Sequence, residues 1–265
     1  MSALPPALVA AIERIADVDE LLVALDFDGT LAPTVDDPAS ARSHPDAMAA
    51  ILALEDLEKT RIALVSGRSI GNLASVARLP DSTILVGSHG AEFRFGGAVS
   101  GPELDGDERK MLDRLYAAVE TVAARYPGAR TERKPAGSGL HTRMSSPADA
   151  DAARADALAA VAALGPSSGI TERYGKDILE FTVREADKGT ALDVIRHRTA
   201  ASAVLFVGDD VTDEDGFAVL SGHDVGVKVG PGETAASHRV ADPQAVAELL
   251  ALLAGLRERK AASPR

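Results

Sequence analysis

The chain has 265 residues, 46% of them hydrophobic, and a formal net charge of −12. That length predicts about two domains with a substantial core, and the acidic balance excludes general nucleic-acid binding, which needs a basic face. With no cysteine, disulfides, thiolate nucleophiles and cysteine-ligated zinc are excluded, which fits a reducing compartment. The first ten residues lack the basic start and long apolar stretch of a signal peptide. No run approaches the roughly 20 apolar residues that cross a bilayer. A soluble, cytoplasmic, monomeric protein with no membrane partner is expected.

A helix is predicted over Pro6–Ala16, packed on the core. Leu21–Leu25 is apolar at every position and reads as a fully buried strand. It ends in Asp26-Phe27-Asp28-Gly29-Thr30. Side chains alternate along a strand, so Asp26 and Asp28 start out pointing the same way, and Gly29 permits a sharp turn. Two such carboxylates repel unless a cation binds or one holds a proton. A divalent metal with oxygen ligands, Mg²⁺, suits the pair; an acidic turn after a core strand is the alternative. Residues 61–65 form another short apolar run, ending in Ser66-Gly67-Arg68 before a helical stretch, Ile70–Ala77. Ser66 reads as a helix N-cap, and a capped N-terminus also offers N–H groups to a phosphate. For Arg68 a local cation for phosphate and a surface salt bridge are both open. Residues 20–104 thus read strand, helix, strand, helix, strand.

The texture changes after residue 104. Helix 107–125, strands 129–134 and 140–144, helix 148–164, and strands 170–174 and 177–183 repeat a helix–strand–strand unit. Paired strands joined by short turns imply an antiparallel sheet. Between 125 and 143 the charge reverses, with Arg125, Arg130, Arg133, Lys134 and Arg143 against Glu132. Glu132 and Lys134 share one strand face, His141 and Arg143 repeat the spacing, and 135–139 supplies the turn. A hairpin would bring these pairs together; a solvated face is the alternative. Gly101-Pro102 and Glu185-Ala186 are the expected hinges. Lys188-Gly189 then heads a helical pattern, 190–197. Residues 204–207 form a third buried strand, ending in Gly208-Asp209-Asp210-Val211-Thr212-Asp213-Glu214-Asp215. Five carboxylates in seven residues are costly unless a metal or nearby bases offset them. Residues 186–255 read helix, strand, helix, strand, helix, and a polar, frayed tail is expected over 257–265.

Each polar cluster follows a strand or begins a helix. Sites in open α/β sheets form beyond the carboxyl ends of parallel strands, so the clusters are expected to converge. Their order resembles the phosphatases of the haloacid dehalogenase superfamily, in all four motifs. The resemblance implies a doubly wound, mainly parallel α/β core (1–104 and 186–265) and an inserted α+β cap over 105–185. It implies Asp26 as nucleophile and Asp28 as general acid/base, with the Asp28 backbone carbonyl on Mg²⁺. Ser66 and Lys188 would hold the transferring phosphoryl, Asp209 would complete the metal ligands with Asp26, and Asp213 would support, with Asp210 able to compete for either role.

Within that superfamily, Glu132-x-Lys134, His141-x-Arg143 and Gly175-Lys176 with Glu180 resemble the cap signature of trehalose-6-phosphate phosphatases. So do Gly87-Ser88-His89-Gly90-Ala91-Glu92, the 208–215 cluster, and Val229-Gly230-Pro231-Gly232-Glu233-Thr234. The implied reaction is hydrolysis of trehalose 6-phosphate, a step of trehalose biosynthesis. Glu132, Lys134, His141, Arg143, Lys176 and Glu180 would bind the sugar, and Gly67, Arg68 and His89 complete the implied substrate site. Aromatic content is only 3%, so sugar recognition rests on polar groups. Three rivals stand beside this reading: a phosphatase for sucrose phosphate or mannosyl-phosphoglycerate, a phosphosugar mutase, and a non-catalytic sugar-phosphate sensor.

Overall fold

The computed structural model describes residues 4–35, 37–101, 104–165, 169–175, 177–184 and 186–262. Helix α1 (Pro6–Ala16) buries Leu8, Ile12 and Ile15 at helical spacing. Strand β1 (Leu21–Leu25) follows, buried at all five positions. Leu21, Val23 and Leu25 join one apolar cluster and Leu22 and Ala24 another. A strand covered on both faces needs this unbroken apolar run. Next come α2 (Pro45–Glu55), β2 (Thr60–Val65), α3 (Ile70–Ala77) and β3 (Ile84–Gly87). A hairpin of β4 (Glu92–Phe95) and β5 (Ala98–Ser100) was not foreseen; Gly96 and Gly97, both at positive φ, make its two-residue turn.

The intervening unit holds α4 (Gly106–Ala123), β6 (Arg130–Lys134), β7 (Gly137–His141), α5 (Pro147–Ala162), β8 (Thr171–Gly175) and β9 (Ile178–Thr182). The chain then returns through α6 (Lys188–Thr199), β10 (Ala203–Gly208), α7 (Asp213–Ala218), β11 (Val225–Val229), β12 (His238–Val240) and α8 (Pro243–Ala262). Two compact units result, Met1–Ser100 with Ala186–Arg265, and Gly101–Glu185.

The larger unit is a doubly wound sheet in the order β12-β11-β10-β1-β2-β3-β4-β5, parallel from β12 to β3 and antiparallel beyond. Helices α1, α2, α3 and α8 cover one face and α6 and α7 the other. β1 lies between β10 and β2, where successive connections leave in opposite directions, so the crevice beyond its carboxyl end is the expected site. The tail is not frayed where Arg257 stands. α8 continues to Ala262, and Arg257, 5% exposed, donates to the carbonyls of Ala16, Val18 and Lys59. A guanidinium with five fixed donors can satisfy several strand and helix ends at once.

The smaller unit is an antiparallel sheet, β6-β7-β9-β8. Leu140, Leu179 and Phe181 pack against Leu115 and Val119 of α4 and Ala153 and Ala157 of α5. Its hairpin is tighter than the sequence suggested. Lys134 pairs directly with Gly137, leaving Pro135-Ala136 as the turn, and β7 ends at His141 with Arg143 in the following turn. A Cβ on Gly137 would lie 2.2 Å from the Phe181 carbonyl oxygen, so glycine here serves close strand approach. Of the expected hinges, Pro102 and Glu185 lie outside the described residues.

Candidate active site

Three strands of the larger unit end in polar residues side by side. Asp26 follows β1, Ser66 follows β2, and Asp209 follows β10. The Asp26 N–H continues the ladder to the Val207 carbonyl at 2.9 Å. This holds Asp26 at the strand end with only 5% of its surface exposed. The fourth element is α6. Asp187 caps it by accepting from the Thr190 N–H at 2.7 Å, and Lys188 is its first residue.

Lys188 is 2% exposed and donates to Asp26 Oδ1 and to Asp213 Oδ1, both at 2.7 Å. Burial pushes this ammonium toward neutrality, but Asp26 and Asp213 outweigh it and hold Lys188 above the ordinary lysine range. Burial likewise raises the Asp26 carboxyl well above the usual carboxylate range, against the pull of Lys188. Asp213 is fully buried, and its Oδ2 accepts from the Asp210 N–H at 2.9 Å. Asp213 therefore anchors both Lys188 and the loop after β10. Asp210 uses its carboxylate locally, accepting from the Val211 N–H at 2.7 Å.

Asp209 accepts from Thr30 Oγ1 at 3.3 Å. It sits so close to the turn after β1 that a Cβ on Gly29, at φ +84°, would lie 2.0 Å from its Oδ2. Only glycine meets both the space and the dihedral. Burial, then Asp213 and Asp210, raise the Asp209 carboxyl to about 6. Oxygen atoms of Asp26, Asp209 and Asp213 all lie within 4.8 Å of one another. Three carboxylates with one ammonium leave excess negative charge, and their all-oxygen donor set fits a hard divalent cation such as Mg²⁺.

Asp28 has a different partner from Asp26. Arg68 binds it through two hydrogen bonds, Nε to Oδ2 at 2.5 Å and Nη2 to Oδ1 at 2.6 Å, and its guanidinium stands over Phe27. Arg68 is thus no surface pair but the partner of Asp28 in this structure. Ser66, 2% exposed, accepts from the Arg68 N–H at 3.2 Å. It is not the helix N-cap: α3 begins at Ile70 with Ser69 in that position. The His89 ring packs where a Gly67 Cβ would lie, 2.5 Å from two ring atoms. Ser88 and His89 both hold positive φ, a costly conformation for such residues. Ser88 Oγ donates to buried Glu92 at 2.5 Å, fixing that turn.

In the smaller unit Glu132, Lys134, His141 and Glu180 pair among themselves on the sheet face away from α4 and α5. His141 Nε2 lies 3.0 Å from Glu132 Oε2. Lys134, buried, donates to Glu180. Arg143 reaches Asp177 at 3.7 Å. Lys176 lies outside the described residues.

A model of the trehalose-phosphatase family matches residues 24–248, from the fourth residue of β1 to the sixth of α8. The chain belongs to the trehalose-phosphatase family. It is similar to the trehalose-6-phosphate phosphatase of Escherichia coli, 33% identical over 221 residues, covering 82% of this chain and 80% of that one. A bifunctional trehalose-6-phosphate synthase/phosphatase of Thermoproteus tenax is 32% identical over 232 residues, 86% of this chain. This family member spans only 31% of that relative's length. The crystal structure of a trehalose-6-phosphate phosphatase related protein superposes with a TM-score of 0.72 at 26% identity, over 90% of this chain and 99% of that one. The core and antiparallel insert are those of the haloacid dehalogenase fold. Among the described residues, no helix is long and apolar enough to cross a membrane.

Sequence reasoning did not single out Thr30 as an Asp209 partner, nor Lys228 of β11, whose ammonium reaches the loop after β10. For Lys228 a signal was present: a lysine inside the otherwise apolar run Val225–Val229.

The raised Asp209 carboxyl has a thermodynamic consequence. Between about pH 4 and 6 the native state binds more protons at Asp209 than the unfolded state. Stability contributed at this site therefore falls as pH rises through that window. With chelator present, Asp209→Asn is expected to be more stable than the parent at pH 7, and the gap to close toward pH 4. Paired melting curves across pH check this; a gap that does not change with pH contradicts it.

Proposed function

We propose that this chain hydrolyses trehalose 6-phosphate to trehalose and inorganic phosphate with Mg²⁺, through an aspartyl-phosphate on Asp26. The observation that carries this is the Asp26 carboxylate itself. It stands at the end of the central strand, tied to buried Lys188 and beside Asp209, in a chain of the trehalose-phosphatase family.

Ionised Asp26 attacks phosphorus, and the bond from phosphorus to the sugar oxygen breaks. Lys188 favours the ionised form of Asp26 and, with Ser66, faces the equatorial phosphoryl oxygens. Asp26 and Asp209, with the Asp28 backbone carbonyl, would hold Mg²⁺, which offsets the charge of those oxygens. Asp28 gives a proton to the leaving sugar oxygen, then takes one from the water that cleaves the aspartyl-phosphate. Both Asp28 oxygens accept from Arg68, so presenting one to the leaving sugar oxygen requires that pairing to open. Asp213 keeps Lys188 in place, and Asp210 gives its backbone N–H to Asp213.

The insert, 105–185, is assigned as the specificity-determining cap, with 1–104 and 186–265 as the catalytic core. Glu132, Lys134, His141, Arg143, Lys176 and Glu180 are assigned to sugar hydroxyls, and Gly67, Arg68 and His89 to the substrate near the phosphoryl group. Phosphate release across a panel of sugar phosphates, with Mg²⁺ and with chelator, tests the reading. Trehalose 6-phosphate is expected to be preferred and chelation to silence the enzyme reversibly; preference for sucrose phosphate or a mannosyl-phosphoglycerate would overturn the substrate.

Glu132→Ala separates recognition from chemistry. A charge-assisted hydrogen bond is worth about 1.5–3 kcal/mol net, so kcat/KM for trehalose 6-phosphate should fall roughly 10- to 100-fold. Hydrolysis of a small aryl phosphate, with no second sugar, should be nearly unchanged. Lys134→Ala is the less clean test, because it also removes the ammonium facing Glu180. Equal loss of both activities in folded Glu132→Ala would remove the sugar role.

A further inference from the structure

Lys228 lies in β11 with 4% of its surface exposed. A buried ammonium is costly unless it is paired and hydrogen-bonded. This one donates to the Asp210 carbonyl at 3.1 Å and lies 3.3 Å from Glu214 Oε1. Glu214 is held in turn, its Oε2 accepting from the Ala235 N–H at 2.8 Å and from Thr234 Oγ1 at 3.2 Å. The Asp210 N–H is bound by Asp213. Asp210 is therefore fixed on both sides, its N–H by the Asp213 carboxylate and its C=O by Lys228 together with the Asp213 N–H at 3.3 Å. Asp209 is the residue just before it, so the aim of the Asp209 carboxylate depends on this frame. Lys188 and Lys228 flank the acidic loop differently: Lys188 touches the Asp26 and Asp213 carboxylates, whereas Lys228 touches a backbone carbonyl and Glu214.

We propose that Lys228 is a positioning residue for the divalent cation, fixing the Asp210 peptide so that Asp209 presents its carboxylate beside Asp26. The proposal rests on the Mg²⁺ reading above. It differs from a purely structural role, which would lower stability but leave cation affinity intact in the folded protein.

Calorimetric titration of the metal-free protein with Mg²⁺ alone decides it. Loss of an outer partner of a metal ligand typically costs roughly 10- to 100-fold in affinity, and Lys228→Met, which keeps the stem, should raise Kd by that factor. Lys228→Arg, which keeps the charge and donors, should recover most of the affinity. Thr234→Val, which removes one hold on Glu214, should raise Kd less, and KM at saturating Mg²⁺ should stay parental in all three. Folded Lys228→Met with the parental Kd overturns the proposal while leaving the Mg²⁺ reading standing. If Lys228→Met does not fold, an unchanged Kd in Thr234→Val overturns it equally. A parent protein that does not bind Mg²⁺ overturns both.

Discussion

Asp26→Asn is expected to lose turnover by about 10⁴-fold or more, since an amide is a poor nucleophile and no neighbouring group can replace it. Asp26 is buried and shares Lys188 with Asp213. The amide removes a buried carboxylate, and Lys188 keeps Asp213 as its partner. The variant should therefore fold, and trehalose 6-phosphate should still shift its melting temperature. Circular dichroism, ligand-dependent melting and single-turnover phosphate release check the three parts. Turnover within tenfold of the parent would exclude Asp26 as the nucleophile. Trapping a beryllium trifluoride adduct on parental Asp26, absent in the variant, provides an independent line.

Lys188→Met should damage both fold and chemistry. Removing one partner of a buried charge pair typically costs about 3–5 kcal/mol, and here two carboxylates, Asp26 and Asp213, lose the same ammonium. The melting temperature should fall clearly. Activity should fall alike toward trehalose 6-phosphate and toward a small aryl phosphate, because Lys188 acts at the phosphoryl group rather than at the sugar. Glu132→Ala is expected to separate the two substrates. A Lys188→Met protein with parental stability would contradict a stabilising role for the Lys188 pairs with Asp26 and Asp213.

Much of the core was legible because its strands are covered on both faces. The unbroken apolar run of β1 and the polar residues that follow it mark a strand end and a site in the same short stretch. Charged residues at α6 were read for position but not for depth. Lys188 looks like any lysine at a helix start, and its burial depends on Asp26 and Asp213, which lie 162 and 25 residues away. The glycines at 137 and 139 were read as turn residues, since glycine favours turns. Their use inside β7 is set by the neighbouring strand, where the Phe181 carbonyl leaves no room for a Cβ on Gly137. Arg257 and Lys228 share this difficulty. Each is a cation in a segment whose pattern alone suggests solvent or apolar packing, and each is satisfied by backbone carbonyls that only the fold assembles.

The pairing of Asp28 with Arg68 was likewise invisible, because Arg68 follows a different strand from Asp28. With both Asp28 oxygens held by Arg68, the proposed acid/base step begins with the opening of that pairing.

The most direct test is a chemically quenched time course of the parent protein with trehalose 6-phosphate and Mg²⁺, following sugar, phosphate and protein together. The expected result is equal amounts of trehalose and inorganic phosphate, with a transient phosphoryl group on the peptide that carries Asp26. An isomerised sugar phosphate without phosphate release, or binding without turnover, would contradict the account.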